Sequence, residues 1–385
     1  MRLRADFKNN NLDLLRLLFA GMVVLYHCSA LTAIAVLAPL GSGRIAHFAV
    51  HGFFVISGLL IYRSYERSSS LRSYFEKRLR RIYPAYATVV LAAAALLPLF
   101  SSAFPSHAYG AAFWKYLGAN LLFLNFLAPT LPGVFAGHLN TAVNGALWTL
   151  KIEVAFYLSI PVIHALCRRY GTNRTMAALS ALSLLCKILF WRLAVLHPAA
   201  AIWERLDVQL PSQMLYFCAG ILLLAHFEKL RHRVALVGAL TVAAFAADLL
   251  SRGEWLDVVW ISGFVLVCGF WRYAGNVARY GDFSYGVYIL HWPILQCMID
   301  LKLNKLSPPL FVLVALLLVF AASYLMWHLV EKRFLAASSH YRHAPGGERK
   351  SARQQEPAAP SASLAHDVPQ AQAQANLEET GSPGL

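Results

Sequence analysis

Ten apolar stretches in the sequence are each long enough to cross a lipid bilayer as an α-helix. The hydrocarbon core requires about 20 apolar residues per helix, and only helices and closed barrels satisfy the backbone polar groups inside it. We therefore predict an all-α membrane protein with about ten transmembrane helices in one bundle. The stretches lie near residues 12–30, 45–62, 83–103, 145–166, 175–196, 208–227, 233–250, 255–272, 282–300 and 309–332.

The composition supports a multi-pass membrane protein and argues against a nucleic-acid partner. The chain is 58% hydrophobic and 14% charged, whereas soluble domains are about 25% charged. The formal net charge of +15 is typical of the positive-inside bias of cytoplasmic loops. The 6 cysteines show no paired spacing, so neither a disulfide framework nor a zinc site is predicted.

Lys and Arg counts in the connecting segments favour ten crossings with both chain termini in the cytoplasm. An eleventh apolar stretch, residues 112–129, is short, and we interpret it as a re-entrant or interfacial segment. Counting it as a full crossing would move two basic connections to the outside. We expect residues 1–335 to form the membrane domain. Residues 336–385 are rich in Ala, Pro and Gln, which predicts a disordered cytoplasmic tail.

The first predicted helix carries three ionisable residues, Asp13, Arg16 and His27. At about 100° per residue all three share one face, and such residues inside a membrane are functional candidates because their burial is costly. A structural alternative remains for each. Asp13 and Arg16 can form an i, i+3 ion pair that holds the helix in register, and His27 can be a neutral histidine bonded between helices.

Two later helices also carry ionisable residues inside apolar sequence. Glu153 and Tyr157 have i, i+4 spacing and share a face, whereas Lys151 points to a different face. His291 is predicted near the middle of the membrane, beside Pro293. The alternatives are a polar tie between helices for Glu153 and a packing histidine beside a proline kink for His291.

The second predicted helix combines two histidines with several small residues. His47 and His51 have i, i+4 spacing, but no glutamate or third ligand accompanies them, so no metal site is predicted. Gly52, Ser57 and Gly58 are interpreted as small residues that permit close helix approach.

The segment FEKRLRRIYP, residues 75–84, is the most basic connection in the chain. Arg78 and Arg81 have helical spacing and can converge on one phosphate group. We interpret Lys77 and Arg80 mainly as a topological anchor, and we place Pro84 in the first turn of the following helix.

Taken in order, these segments resemble the acyltransferase-3 family of bacterial integral membrane acyltransferases. The resemblance covers about residues 11–335 and implies about ten helices. It also implies transfer of acyl groups, most often acetyl, from cytoplasmic acyl-CoA to hydroxyls of surface or exported polysaccharides. The segments that carry it are LDLLRLLFAGMVVLYH, HGFFVISGLLIYRSY, RLRRIYP, ALWTLKIEVAFYL, GDFSYGVYILHWPI and VEKRF.

The resemblance implies a set of site residues in a protein of the bacterial inner membrane. His27 and Glu153 are the expected catalytic residues, with His27 as general base or as an acyl-histidine. Either Glu153 or Asp13 can orient the charges near His27. Acyl-CoA, with acetyl-CoA foremost, is a co-substrate rather than a bound cofactor, and the acceptor is a glycan or a lipid-linked glycan. Lys151 and His51 depart from the pattern of many family members. Acyl-CoA is expected at Arg78 and Arg81, which match a family motif. From their own positions in the sequence, Arg16 is added to the acyl-CoA site, and Asp13, Ser57, Trp148, Tyr157 and His291 are expected to support the site.

A transporter or flippase for a polysaccharide precursor is the alternative function, with the buried charges lining its path. The sequence lacks an internal repeat and a pair of broken helices, which are the usual indications of a transporter. A structural scaffold would gain little from the cost of aligned charges in the membrane.

Overall fold

The computed structural model of the protein describes residues 7, 9–101, 107–251, 255–275 and 277–335. The predicted tail, residues 336–385, lies outside this part of the chain. The described residues form helices, without a β-strand, and the longest connection between α-helices among them is residues 122–147, which contains two short 3₁₀ turns. The helices are α1 Leu12–Thr32, α2 Gly43–Glu66, α3 Leu71–Leu96, α4 His107–Leu121, α5 Trp148–Tyr170, α6 Thr172–Leu196, α7 Ile202–Asp207, α8 Leu210–Ala225, α9 Phe227–Arg231, α10 Val234–Ser251, α11 Asp257–Phe270, α12 Ser284–Asp300, α13 Pro308–Met326 and α14 Lys332–Phe334.

Eight helical segments in the described part of the chain are long and apolar enough to cross a membrane. The predicted all-helical, multi-pass class is therefore confirmed. The other two predicted crossings correspond to α11 and α12, which have 14 and 17 residues and are shorter than these eight. The count of about ten stays a prediction.

The apolar stretch at residues 112–129 divides between α4, which ends at Leu121, and a short turn at Asn125–Leu127. Tyr86 of α3 donates a hydrogen bond to the carbonyl of Asn120 at 2.5 Å, which joins this segment to the bundle. Its assignment as re-entrant or interfacial stays a prediction.

The basic run is part of α3, which begins at Leu71 rather than near residue 83. The hydroxyl of Ser70 accepts a hydrogen bond from the amide of Ser73 at 3.1 Å and caps the helix N-terminus. The prediction that Pro84 lies in the first turn was therefore wrong, and Pro84 lies inside the helix. Lys and Arg are good helix formers, so the charged run continues the helix rather than interrupting it.

Two glycines bring the backbones of α2 and α8 into direct contact, as predicted for Gly58. A Cβ atom added to Gly58 would lie 2.1 Å from the carbonyl oxygen of Phe217, and one added to Gly220 would lie 2.0 Å from that of Val55. Gly52 similarly faces the ring of Phe19. These small residues fix the position of α2, which supplies one wall of the candidate site.

Candidate active site

A cavity of about 460 Å³ opens between α1, α2, α3, α5 and α12. Ligand pockets of about 300–1,000 Å³ are typical of small-molecule and cofactor sites. The cavity brings together predicted site residues from four helices, α1, α2, α3 and α5. Those that line it are Arg16, Ser57, Arg78, Arg81, Glu153 and Tyr157.

One end of the cavity is basic and is formed by the last turns of α2 and the first turns of α3. Arg63, Arg67, Lys77 and Arg78 line this end. Arg78 donates a hydrogen bond through Nη2 to the hydroxyl of Ser64 at 3.2 Å. Its Nε atom is buried and has no hydrogen-bond partner among the described residues, so a donor is left for an anionic ligand.

The sequence analysis assigned Lys77 and Arg80 to a topological anchor and Arg78 and Arg81 to the donor site, and the structure differs from this assignment at one residue. Arg80 lies on the surface and donates to Glu76 at 2.6 Å, as a topological anchor can. Lys77 was assigned to the same anchor, but it lines the cavity, and its Nζ atom donates to the hydroxyl of Ser68 at 3.3 Å. Helical spacing places Lys77 next to Arg81 (i, i+4) and also next to Arg80 (i, i+3), so the spacing alone could not assign Lys77 to the anchor or to the site.

Arg16 and Arg81 are held by carboxylates from other helices. Arg16 donates through Nη1 to Oδ2 of Asp282 at 2.7 Å, and Arg81 donates through Nη2 to the same oxygen. The other η nitrogen of Arg81 donates to Glu331 at 3.1 Å. The predicted pair of Arg16 with Asp13 is present but longer, at 3.7 Å. We name Arg16, Arg81, Asp282 and Glu331 the ionic cluster.

Asp282 lies in the turn before α12 and links the ionic cluster to that helix. Its Oδ1 atom accepts hydrogen bonds from the hydroxyl of Ser284 at 2.6 Å and from the amide of Ser284 at 3.3 Å. Both Arg16 and Arg81 donate to this buried carboxyl, so their positive charges stabilise its ionised form.

Sequence reasoning did not select Asp282, although the residue lies in one of the segments that carry the resemblance. The available signal was an acidic residue at the start of an apolar helix. Glu331 lies near the end of the last helix, and its buried side chain accepts a hydrogen bond from Arg81.

His27 and His291 form a direct pair between α1 and α12. Nδ1 of His27 and Nε2 of His291 lie 2.9 Å apart, and the rings stack with centroids 4.9 Å apart and an interplanar angle of 26°. The Trp292 ring meets His27 edge-on at 4.8 Å, and its Nε1 donates to the carbonyl of Ala142 at 3.0 Å. Two of the predicted site residues are thus in contact, although neither lines the cavity.

Tyr288 separates the cavity from the histidine pair. Its ring lines the cavity and lies edge-on to His291, with centroids 5.9 Å apart. The hydroxyls of Tyr288 and Thr149 are hydrogen-bonded at 2.6 Å, and Thr149 lines the same part of the cavity. The cavity therefore extends from four basic residues at one end to the neighbour of the histidine pair at the other.

The predicted pair of Glu153 and Tyr157 is formed within the cavity wall, where the Tyr157 hydroxyl donates to Oε1 of Glu153 at 2.6 Å. Lys151 points to another face, as predicted, with Nζ 4.7 Å from the centre of the Phe126 ring. Trp148 begins α5 and packs partly buried against the core, outside the cavity lining.

A second polar cluster lies outside the cavity. His51 stacks on Tyr216 with centroids 3.8 Å apart, and its Nδ1 atom lies 3.4 Å from Oδ2 of Asp257. The Nζ atom of Lys187 lies 3.8 Å from the same oxygen and donates to the hydroxyl of Tyr216 at 2.8 Å. These contacts tie α2, α6, α8 and α11 together. Within the described ranges, no group of three or more His, Cys, Asp and Glu residues is arranged to hold a metal ion.

Comparison with known proteins identifies the family to which the sequence is similar. The model of the acyltransferase-3 family, described as an acyltransferase domain, matches residues 9–328. A Shigella phage Sf6 protein named O-acetyl transferase is 28% identical over 351 residues, which cover 86% of this chain and 98% of that protein. Nodulation protein 10 of Rhizobium leguminosarum bv. viciae is 25% identical over 321 residues, 75% of this chain and 84% of that protein. No solved structure matches the chain.

Proposed function

Because the chain belongs to the acyltransferase-3 family, we propose that it transfers an acyl group from acyl-CoA to a hydroxyl of a surface or exported polysaccharide, or of its lipid-linked precursor. The acyl group is most simply acetyl, since the phage relative that matches over almost its whole length is named an O-acetyl transferase. The observation that carries the proposal is the cavity that runs from a basic end to the neighbour of the histidine pair.

The basic end of the cavity fits the phosphates of coenzyme A. Arginine and lysine bind phosphate through charge-assisted hydrogen bonds, and arginine can bind bidentately. Arg81 and Arg16 line the same cavity, but the carboxylates of the ionic cluster balance their charge. We therefore expect the phosphates to bind at the basic end, near Arg78, rather than beside Arg81. The other residues of this end are Arg63, Arg67 and Lys77.

The middle of the cavity fits the uncharged arm that carries the acyl group. Its walls combine apolar side chains of α2, such as Phe53 and Leu60, with hydroxyls of Ser57, Thr149 and Tyr157. A donor bound by its phosphates at the basic end would extend along these walls toward Tyr288. Its thioester would then approach the histidine pair from the cavity side.

The proposed reaction uses His27 as general base. The acceptor hydroxyl gives its proton to His27 as its oxygen forms a bond to the acyl carbon, and the bond between that carbon and the coenzyme A sulfur breaks. The protonated His27 then returns the proton to the departing thiolate, so the products are an ester and free coenzyme A. Glu153, held by Tyr157, supplies a carboxylate to the wall of the cavity.

We place the protein in the bacterial inner membrane, with about ten crossings and with both termini and the donor on the cytoplasmic side. Two contacts support this topology. His27 follows Arg16 by eleven residues on α1, and His291 follows Asp282 by nine residues. The two helices therefore run in the same direction, as the first and ninth crossings of a ten-helix bundle must.

The proposal is tested with membranes containing the protein, acetyl-CoA labelled in its acetyl group, and the glycan fraction of the host cell. We expect label in the glycan, released as acetate by mild base, and we expect His27→Ala to abolish it. His47→Ala is the matched control, because His47 lies on the exposed end of α2 outside the cavity. Unlabelled glycan with the wild-type protein would favour a transporter, and full labelling by His27→Ala would remove His27 from the mechanism.

A further inference from the structure

His291 is the fully buried partner of His27, and its hydrogen bonds determine which of its nitrogens carries a proton. Its Nδ1 atom lies 3.3 Å from the carbonyl oxygen of Val287, one helical turn earlier. A carbonyl oxygen can only accept a hydrogen bond, so Nδ1 of His291 is the donor. In a neutral imidazole the other nitrogen is then an acceptor, which makes Nε2 of His291 the acceptor in its contact with His27.

The protonation of His291 in turn determines which nitrogen of His27 carries a proton. Because Nε2 of His291 accepts, Nδ1 of His27 must donate across the 2.9 Å contact. A neutral His27 with its proton on Nδ1 has its free lone pair on Nε2. The partner of one ring nitrogen sets the state of the other, as in metal-binding and catalytic histidines elsewhere.

We propose that His291 is a positioning residue that holds His27 in the tautomer whose Nε2 atom is the base. This inference rests on the proposed function, because it assigns the atom of His27 that receives the proton of the acceptor hydroxyl. Trp292 restricts the His27 ring from a second side, through its edge-on contact at 4.8 Å. The carbonyl of Ala142 fixes the Trp292 ring in turn.

The hydrogen bond to His291 persists through the reaction. When Nε2 of His27 takes the hydroxyl proton, Nδ1 still carries its own proton and still donates to His291. The bond then has a charged donor, and such bonds are shorter and stronger than neutral ones. His291 therefore favours the protonated form of His27 without taking up a proton itself. When His27 passes its proton to the thiolate, the original tautomer is restored.

Two substitutions separate positioning from packing. His291→Gln keeps an acceptor oxygen near the place of Nε2, whereas His291→Leu has similar bulk and no acceptor. Both variants lose the bond to Val287, so that loss cancels in their comparison. We expect His291→Leu to lower kcat on the order of 10²-fold, the range of general-base contributions, and His291→Gln to remain within about tenfold of the wild type. The KM for acyl-CoA should be unchanged in both, because His291 does not line the cavity.

Equal kcat values for the two variants, or wild-type kcat in His291→Leu, would overturn the proposal. A second measurement applies if either variant fails to fold. In ¹⁵N-histidine-labelled wild-type protein in lipid, solid-state NMR should show His27, assigned by its absence in His27→Gln, with a protonated Nδ1 and an unprotonated Nε2. The opposite tautomer overturns the assignment. The NMR measurement does not depend on activity. A wrong tautomer assignment can therefore be distinguished from a failure of the proposed function, which would appear as absent acyl transfer by the wild-type protein.

Discussion

Nη1 of Arg16 lies 2.7 Å from Oδ2 of Asp282, and Arg81 is bonded to that same carboxylate oxygen. One buried carboxylate therefore joins α1, α3 and the start of α12. Farther along the same two helices, His27 of α1 meets His291 of α12. The ionic cluster and the histidine pair together fix the register of α1 against α12 at two points, and the second point is the proposed catalytic centre.

Removal of the charge of Asp282 should destabilise the fold. Asp282→Asn leaves Arg16 and Arg81 without their shared carboxylate, and loss of one partner from a buried ion pair costs about 3–5 kcal/mol. The measurement is the thermal unfolding midpoint in detergent. Glu76→Gln is the control, because Glu76 pairs with Arg80 on the surface, where such pairs contribute about 1 kcal/mol or less. Equal midpoints for the two variants would contradict a structural role of the ionic cluster.

Removal of Arg78 should weaken donor binding without a comparable loss of stability. A hydrogen bond to a charged group contributes about 1.5–3 kcal/mol, so we expect Arg78→Ala to raise the Kd for coenzyme A at least about tenfold. Titration of the purified protein measures this, and the effect should shrink at high salt. Arg80→Ala, which removes the same charge from the exposed face of the same helix, should leave the Kd unchanged. An unchanged affinity of Arg78→Ala for coenzyme A would show that Arg78 does not bind the donor and acts only as a topological anchor.

Tyr288 should limit the length of the transferred acyl group, because its ring closes the cavity before the histidine pair. Tyr288→Ala should raise the rate with butyryl-CoA relative to acetyl-CoA on the order of tenfold, since each buried methylene contributes about 0.8 kcal/mol. The ratio of kcat/KM for the two donors measures it. Tyr288→Phe keeps the ring and loses only the hydroxyl, with its hydrogen bonds to Thr149 and to the carbonyl of Ala146, so its ratio should match the wild type. A wild-type ratio in Tyr288→Ala would show that this ring does not set chain length.

The contact of α2 with α8 should not tolerate a methyl group. In Gly58→Ala the new Cβ would lie 2.1 Å from the carbonyl oxygen of Phe217, so the helices must separate. We expect a clearly lower unfolding midpoint and less folded protein in size-exclusion chromatography. Gly21→Ala is the matched control, because a Cβ there meets nothing within 4 Å and alanine is favoured over glycine inside a helix by about 1 kcal/mol. A Gly58→Ala protein as stable as Gly21→Ala would refute the close approach.

Sequence periodicity predicted contacts within a helix well and contacts between helices poorly. It placed Glu153 beside Tyr157 and Asp13 beside Arg16, and both pairs are formed. It could not identify Asp282 as the closer partner of Arg16, because the two residues are 266 positions apart and helical spacing carries no information on which helices pack together. For the same reason, sequence periodicity could not predict the pairing of His27 with His291.

The start of α3 shows a second limit of sequence reasoning. Hydropathy marks where a helix enters the hydrocarbon core, not where the helix begins. The twelve residues from Leu71 to Ile82 are helical although half of them are charged, because the cap at Ser70 sets the N-terminus. The charged run could therefore be assigned to the cytoplasmic side but not recognised as the wall of a cavity.

The ionic cluster also determines how electrostatic potential varies along the cavity. Carboxylates beside Arg16 and Arg81 offset the positive charge of their part of the wall, and Glu153 adds negative charge to the same cavity lining. For the proposed acyl-CoA donor, this distribution of charge favours one orientation, with the phosphates at the basic end around Arg78 and the neutral arm along the rest of the cavity.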